Sequence, residues 1–108
     1  MEKSADEIIE FLDEHRQSHL KYCNVMCISY KLEREKVIST AQKQQIDSCK
    51  TKAEANELFH QFLCDDPAPE ILKGAAEVLK NAPETTNMNK KCAEVIEEFL
   101  GINQLLKS

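Results

Sequence analysis

Apolar residues recur along the chain at spacings of three and four, which is the period of an α-helix with one buried face. Between residues 8 and 20 this pattern forms one stripe, and Ser4 with Glu7 precedes it as a capping-box motif. Thr51 with Glu54 is a second capping box, which precedes the clearest apolar stripe of the chain. No segment shows a convincing strand pattern, so we predict an all-α protein.

Six helices are predicted, beginning near Ser4, Tyr22, Ser39 or Thr40, Thr51, Pro69 and Met88. The second covers the range from Tyr22 to Tyr30, while residues 31–38 stay open between a helical turn and a charged connector. Pro67 and Pro69 separate the fourth helix from the fifth, because proline does not fit a helix interior. Gly74 predicts close packing of another helix against the fifth, and Gly101 is placed to end the sixth.

Length and composition predict one folded domain. The 108 residues include 42% hydrophobic residues but only two Gly and three Pro, which is typical of a helix-rich domain with a single core. We predict a domain over residues 1–101 and a C-terminal tail over residues 102–108. Short helices joined by short turns favour a compact antiparallel bundle.

The net charge and the cysteines restrict the partners and the compartment. With a net charge of −5 and no basic run, direct nucleic-acid binding is not expected, since it depends on neutralising phosphates. No stretch approaches the ~18 apolar residues of a membrane span, and none resembles a secretory signal. Because the five Cys are odd in number and irregularly spaced, we predict free thiols in a reducing compartment, the cytosol or nucleus, and assign the chain to the cytoplasm.

His15, His19, Cys23 and Cys27 lie four residues apart, and both residue types bind zinc. On one helix they would rise about 6 Å per step and about 18 Å in total, whereas zinc holds its ligands at about 2.0–2.3 Å. A two-residue half-site would need partners from elsewhere, and the metalloprotease motif is absent because Arg16 replaces its glutamate. We predict neither metal nor cofactor, with the cysteines in the core and the histidines at its edge.

Catalysis by a cysteine is conceivable, since Cys49, Cys64 or Cys92 could meet His60 in space. However, two Gly leave little backbone freedom for an oxyanion hole, so buried inert thiols are the preferred interpretation. The pair Asp65–Asp66 is interpreted as an N-cap and an acidic loop rather than as catalytic carboxylates. Glycine-rich nucleotide motifs are also missing, and we predict that the chain is not an enzyme.

Charged residues are grouped by segment. The first helix is acidic, whereas residues 31–36 and 43–52 carry six lysines and arginines. Such runs are usually only solvated faces. Acidic and basic patches on one small domain nevertheless also permit head-to-tail self-association, in which unlike faces of successive copies meet.

Three stretches share one resemblance, and they are ISTAQKQQI from Ile38, TKAEANELFHQFL from Thr51 and PEILKGAAEVL from Pro69. They resemble, in this order, the start of the third helix, the fourth helix and the fifth helix of a caspase recruitment domain (CARD), a member of the death-fold superfamily. The stretches DSCKTKAEANELFHQFL and ILKGAAEVL are also similar to the CARDs of RIG-I-like receptors. The resemblance implies a six-helix antiparallel Greek-key bundle, the death fold.

The resemblance further implies homotypic association with a CARD-containing protein or with the chain itself, in innate immune or apoptotic signalling, with oligomers or filaments as products. Helices 1 and 4 would form one face, helices 2 and 3 its complement, and the helix 3–4 turn and helix 4–5 loop the lateral contacts. The predicted interaction residues are Glu10, Asp13, Glu14, Arg34, Lys36, Lys43, Lys50, Lys52, Glu54, Glu57, Asp65 and Asp66. The alternative is a helical regulatory domain that binds an amphipathic peptide of a non-CARD partner in an apolar groove, insensitive to salt.

Overall fold

The computed structural model describes residues 3–18 and 20–101, and in this part of the chain all regular structure is helical. The six α-helices are α1 (Ala5–His15), α2 (Ser29–Arg34), α3 (Thr40–Asp47), α4 (Lys52–Asp65), α5 (Pro69–Asn81) and α6 (Asn87–Leu100). The prediction of an all-α six-helix bundle is therefore confirmed, while its Greek-key path stays a prediction. The predicted tail, residues 102–108, lies outside the described residues.

Local capping signals place several helix ends where the sequence predicts them. Ser4 and Glu7 form both bonds of the capping box at the start of α1. Ser39, rather than Thr40, caps α3 through its own capping box. Gly101 follows α6 with φ 80°, the left-handed conformation that glycine adopts at least cost.

The ends of α4 follow the prediction on one side only. Thr51 accepts the backbone N–H of Glu54 at 3.1 Å, which is the first bond of the predicted capping box, but the Glu54 carboxylate accepts the Thr51 hydroxyl at 3.4 Å and does not complete the box. The prediction that the pair Asp65–Asp66 contains an N-cap is wrong. Because α4 continues through Asp65, Asp66 becomes its C-cap, and Ala68 precedes the proline that opens α5.

The helix predicted over Tyr22 to Tyr30 is also wrong. One 3₁₀ turn ends at Tyr22, an irregular stretch follows, a second 3₁₀ turn covers Met26–Ile28, and α2 begins only at Ser29. Two buried asparagines hold the irregular backbone: Asn56 of α4 donates to the carbonyl oxygen of Cys23 at 2.7 Å, and Asn89 of α6 accepts the N–H of Asn24 at 2.7 Å. These bonds use backbone groups that a helix would have used internally, so they stabilise an irregular path.

Residues 31–38 contain both structures that the sequence leaves open, a helical turn and a charged connector. They remain helical to Arg34, after which Lys36 adopts a left-handed φ of 63° and the chain becomes a connector. Val37 of this connector is buried, and its Cγ2 would lie 3.2 Å from a Cβ added at Gly74. The close approach predicted at Gly74 is present, but its partner is the connector rather than another helix.

One apolar core joins the helices. Its largest fully buried members come from the irregular segment and from every helix, and they are Ile8, Leu12, Val25, Ile28, Leu32, Ile46, Phe59, Leu63, Leu72, Leu79 and Ile96. Helix α5 packs along α6, α1 packs against α4, and α3 packs against both α2 and α4. Among the described residues, the exposed large hydrophobic side chains are Tyr22 and Tyr30. Burial of the apolar faces thus leaves a mostly polar exterior.

A disulfide joins Cys23 of the irregular segment to Cys92 of α6, across 69 positions of sequence. Both residues are buried in the core. The expectation of five free thiols is wrong for this pair, whereas Cys27, Cys49 and Cys64 are free and partly buried. The tertiary contact between the irregular segment and α6 brings the two sulfurs together, and neither local pattern indicates it.

Candidate interaction surfaces

Helix α1 presents an acidic face. Its eleven residues include no Lys or Arg but contain the five carboxylates Asp6, Glu7, Glu10, Asp13 and Glu14. The opposite face buries Ile8 and Leu12, so the predicted residues Glu10, Asp13 and Glu14 point to solvent. Among the described residues, Glu10 and Glu14 have no ion-pair partner, and their charges are therefore available to another molecule.

Helix α4 packs against α1 and adds fewer available charges. Glu57 pairs with Arg16, which follows α1, through two hydrogen bonds, one of them from Nε to Oε1 at 3.3 Å. This guanidinium lowers the pKa of the Glu57 carboxyl below its ordinary value. Glu54 is exposed, although its carboxylate lies close to the hydroxyl of Thr51. The negative charge of the α1–α4 face therefore comes mainly from α1.

Helices α2 and α3 pack against each other and form the more basic side of the chain. Residues 29–52 contain six Lys or Arg against three Asp or Glu. Arg34 and Lys36 are exposed, but Lys43 is bound to Asp47 at 2.5 Å, one helical turn away. The carboxylate of Asp47 raises the pKa of Lys43. The ion pair with Asp47 thus makes Lys43 unavailable to a partner. Of the predicted interaction residues on the α2–α3 side, Arg34 and Lys36 remain as exposed cations.

The two predicted lateral sites lie at the two ends of α4. Lys50 and Lys52 are exposed at its start. Asp65 and Asp66 are exposed at its end, where Asp65 accepts a hydrogen bond from Gln61 at 2.8 Å. Fourteen helical residues separate a basic end from an acidic end by about 20 Å. The structure therefore keeps these two sites apart on one molecule.

A cluster of a different kind lies between α1 and α4. The Nε2 atom of His60 is 3.2 Å from Oδ1 of Asp13 and 3.5 Å from Sγ of Cys64. His60 is 5% exposed, whereas Asp13 is exposed and Cys64 is partly buried. The three potential ligand atoms lie within 4.8 Å of one another, a geometry that can hold a metal ion. The sequence had raised the meeting of Cys64 with His60, but Asp13 is 47 positions away and was not included.

The same cluster is not arranged as a nucleophilic triad. In such a triad the carboxylate binds one ring nitrogen and the nucleophile the other. Here Asp13 and Cys64 both face Nε2, while Nδ1 of His60 is buried with no hydrogen-bond partner among the described residues. Burial, and then the charge of Asp13, raise the pKa of the Cys64 thiol above its ordinary value, which opposes formation of a thiolate nucleophile.

The four residues spaced four apart that suggested a zinc site do not form one cluster. His15 ends α1, Cys23 is in the disulfide, and the thiol of Cys27 lies 3.2 Å from the carbonyl oxygen of Asn24. His19 lies outside the described residues. The range is therefore not the single helix on which the argument was based, and the described residues that could hold a metal are in the cluster between α1 and α4.

A groove lies between α1 and α6 that the sequence did not predict. It encloses about 490 Å³, and its walls are Glu7, Glu10, Phe11, Glu14, His15, Val95, Glu98 and Phe99. Phe11 and Phe99 stack with their ring centroids 4.1 Å apart, and Nζ of Lys3 lies 5.0 Å from the centroid of Phe99. The only signal for it was the apolar period of α6, which predicts burial rather than an open groove.

Two broader observations complete the description of the surface. Within residues 3–18 and 20–101, no helix combines the length and the apolar character needed to cross a lipid bilayer. Comparisons with protein-family models, with curated proteins and with solved structures find no match to this chain.

Proposed function

We propose that the chain is a protein-interaction module that associates through charged surfaces with a CARD-containing protein or with copies of itself. One observation carries the proposal: α1 has five carboxylates and no Lys or Arg, whereas residues 29–52 carry twice as many Lys and Arg as Asp and Glu. The acidic face of one copy meets the basic side of the next. Such a contact joins unlike surfaces, so it extends from copy to copy.

The packing and exposure of the side chains support association through the charged surface. The core is filled by apolar side chains, and within the described part of the chain the exposed large hydrophobic residues are two tyrosines on separate helical turns. Each exposed ion pair contributes only about 0.2–1 kcal/mol. Association therefore depends on several pairs formed together, and copies that already belong to an oligomer bind the next one more tightly than a free copy does.

The cellular role rests on the sequence resemblance to CARDs. On that basis we assign the chain to innate immune or apoptotic signalling in the cytoplasm. The six-helix architecture and the separation of the basic and acidic ends of α4 are compatible with this role.

Sedimentation or light scattering at increasing protein concentration tests the proposal. The wild-type chain is expected to associate at low salt and to dissociate as salt rises, because the Debye length falls from about 30 Å at 0.01 M to about 3 Å at 1 M. Glu14→Lys on α1 and Arg34→Glu at the end of α2 should each weaken association. Glu77→Lys on α5 makes the same change of charge at an exposed position outside both surfaces and should have little effect.

The result that overturns the proposal is a chain that stays monomeric at low salt and high concentration and that captures no member of a panel of purified CARDs. Equal effects of Glu14→Lys and Glu77→Lys would also contradict it, because net charge alone would then govern association.

The groove between α1 and α6 favours a second candidate function, binding of a basic amphipathic peptide. Its floor is apolar, with Phe11, Val95 and Phe99, but four glutamates stand around it. The amine of Lys3 already lies over the Phe99 ring, which shows that the groove accommodates an ammonium group. Such binding would be sensitive to salt, in contrast to the salt-insensitive groove expected from the sequence. Val95→Lys should abolish peptide binding, because it places a cation on the apolar floor of the groove.

A further inference from the structure

The distances from His60 to Asp13 and to Cys64 match those between neighbouring ligands of a tetrahedral metal ion. Zinc lies about 2.0–2.2 Å from nitrogen and oxygen ligands and about 2.3 Å from sulfur, so neighbouring ligand atoms stand roughly 3.3–3.6 Å apart. The observed separations are 3.2 Å from Nε2 of His60 to Asp13 and 3.5 Å from Nε2 to Cys64. We propose that these three side chains bind Zn²⁺, independently of the function proposed above.

The helices hold the three ligands in place. His60 and Cys64 lie one turn apart on α4, so their side chains share one face of the helix. Asp13 reaches them from α1, which packs against α4. Only small adjustments of side chains are needed to bring the sulfur and oxygen atoms to the same ion, since all three ligand atoms already lie within 4.8 Å of one another.

The charges also suit a divalent cation. One carboxylate, one thiolate and one neutral imidazole balance the two positive charges of Zn²⁺. A cysteine binds zinc as the thiolate. Binding forms the zinc–sulfur bond and breaks the S–H bond, and the proton leaves to the solvent. Calorimetry in buffers of different ionisation enthalpy should therefore record proton release on binding.

The imidazole can present Nε2 to the ion at little cost. Because Nδ1 of His60 has no hydrogen-bond partner among the described residues, either tautomer leaves that atom unsatisfied. Moving the ring proton to Nδ1 sacrifices only the contact of Nε2 with Asp13, and the metal bond replaces it. The side chain of Asp13 is 62% exposed, so the fourth position of the ion faces water. Three protein ligands and an open fourth position are typical of catalytic zinc sites, whereas structural zinc sites have four protein ligands.

Titration with Co²⁺, a spectroscopic substitute for Zn²⁺, tests the site under anaerobic conditions. The wild-type chain should bind one equivalent, with thiolate-to-cobalt charge transfer in the near ultraviolet and tetrahedral ligand-field bands in the visible region. Added Zn²⁺ should displace the cobalt and bleach both. Cys64→Ser should remove the charge-transfer band, and Asp13→Asn should weaken binding by at least about tenfold.

Matched variants separate the site from incidental binding. Cys49→Ser removes another free, partly buried thiol, and Glu14→Gln removes the exposed carboxylate beside Asp13; both should bind cobalt like the wild type. Because His60 is buried, the test relies on the more exposed Asp13 and Cys64, and circular dichroism checks that each variant is folded. The absence of a charge-transfer band in the wild type, or its survival in folded Cys64→Ser, would overturn the proposal.

Discussion

The side-chain amide of Asn89 forms two hydrogen bonds with the backbone of Asn24: it accepts the N–H at 2.7 Å and donates to the carbonyl oxygen at 3.2 Å. Asn89 is completely buried. It thus satisfies two polar groups of the irregular segment that no regular helix covers. Asn56 does the same from α4, donating to the carbonyl oxygens of Lys21 and Cys23. These two amides explain why this part of the chain is stable without being helical.

Replacing Asn89 by Ala should lower the free energy of unfolding by about 2–4 kcal/mol, because the N–H and carbonyl of Asn24 lose their partner in the interior. Urea unfolding followed by circular dichroism measures the loss. Asn87→Ala, at the exposed first position of α6, is the control and should change stability by less than about 0.5 kcal/mol. A similar small change in both variants would contradict this account of Asn89.

Asp47 should make stability depend on pH. Hydrogen bonds from Lys43, and then from Ser29, lower the pKa of the Asp47 carboxyl below its ordinary value. A lowered pKa in the folded state stabilises the protein above the unfolded pKa of about 3.9, and the contribution disappears as pH falls through the folded pKa. Asp47→Asn should thus be destabilised at neutral pH and approach the wild type in acid.

The measurement for Asp47 is the urea midpoint of both proteins between about pH 2 and pH 7. Glu77→Gln, which removes an exposed carboxylate of α5, provides the comparison. If the difference between wild type and Asp47→Asn were constant with pH, the carboxylate would not be the source of the stability.

The disulfide between Cys23 and Cys92 closes a large loop, since the two residues are 69 positions apart. By the chain-entropy relation, a loop of this size contributes up to about 4 kcal/mol, because the cross-link restricts the unfolded chain. Cys92→Ser should therefore lower the urea midpoint of the oxidised protein, whereas Cys49→Ser should leave it nearly unchanged. Alkylation without reductant, followed by peptide mapping, should label Cys49 but neither Cys23 nor Cys92. Labelling of all five thiols in the folded protein would refute the pairing.

Gly74 and Val37 should be energetically coupled. Alanine is favoured over glycine inside a helix by about 1 kcal/mol, but a Cβ at Gly74 would stand 3.2 Å from Cγ2 of Val37. Gly74→Ala should hence gain little in the wild type and be more favourable, by about 0.5–1 kcal/mol, in a Val37→Ala background. A double-mutant cycle by urea unfolding measures this. Equal effects in the two backgrounds would show that Val37 does not restrict the site.

Features encoded within a few residues were predictable from sequence. The caps at Ser4 and Thr51, the break at the prolines and the stop at Gly101 each depend on neighbours within one turn. The apolar stripes also identified most of the core. Asp66 was misassigned as part of an N-cap because the sequence does not reveal how far α4 continues before the prolines end it.

Features created by distant contacts were not predictable. The range Tyr22 to Tyr30 has helical periodicity, yet Asn56 and Asn89 bind its backbone from α4 and α6. The cluster of His60 and Cys64 is visible as a spacing of four, but its third member comes from α1. Long-range geometry decided both of these cases. The pairing of Lys43 with Asp47 is different, because it is a local pair four residues apart on α3 that a count of charges overlooks.

The two buried asparagines bind main-chain atoms of the irregular segment, and main-chain atoms are the same whatever residue carries them. Substitutions of Lys21 or Asn24 would thus leave these hydrogen bonds intact, whereas substitutions of Asn56 or Asn89 would remove them. Distant relatives that share this architecture should be recognisable by a pair of amide side chains at corresponding places on α4 and α6, even where the stretch between α1 and α2 has diverged beyond alignment.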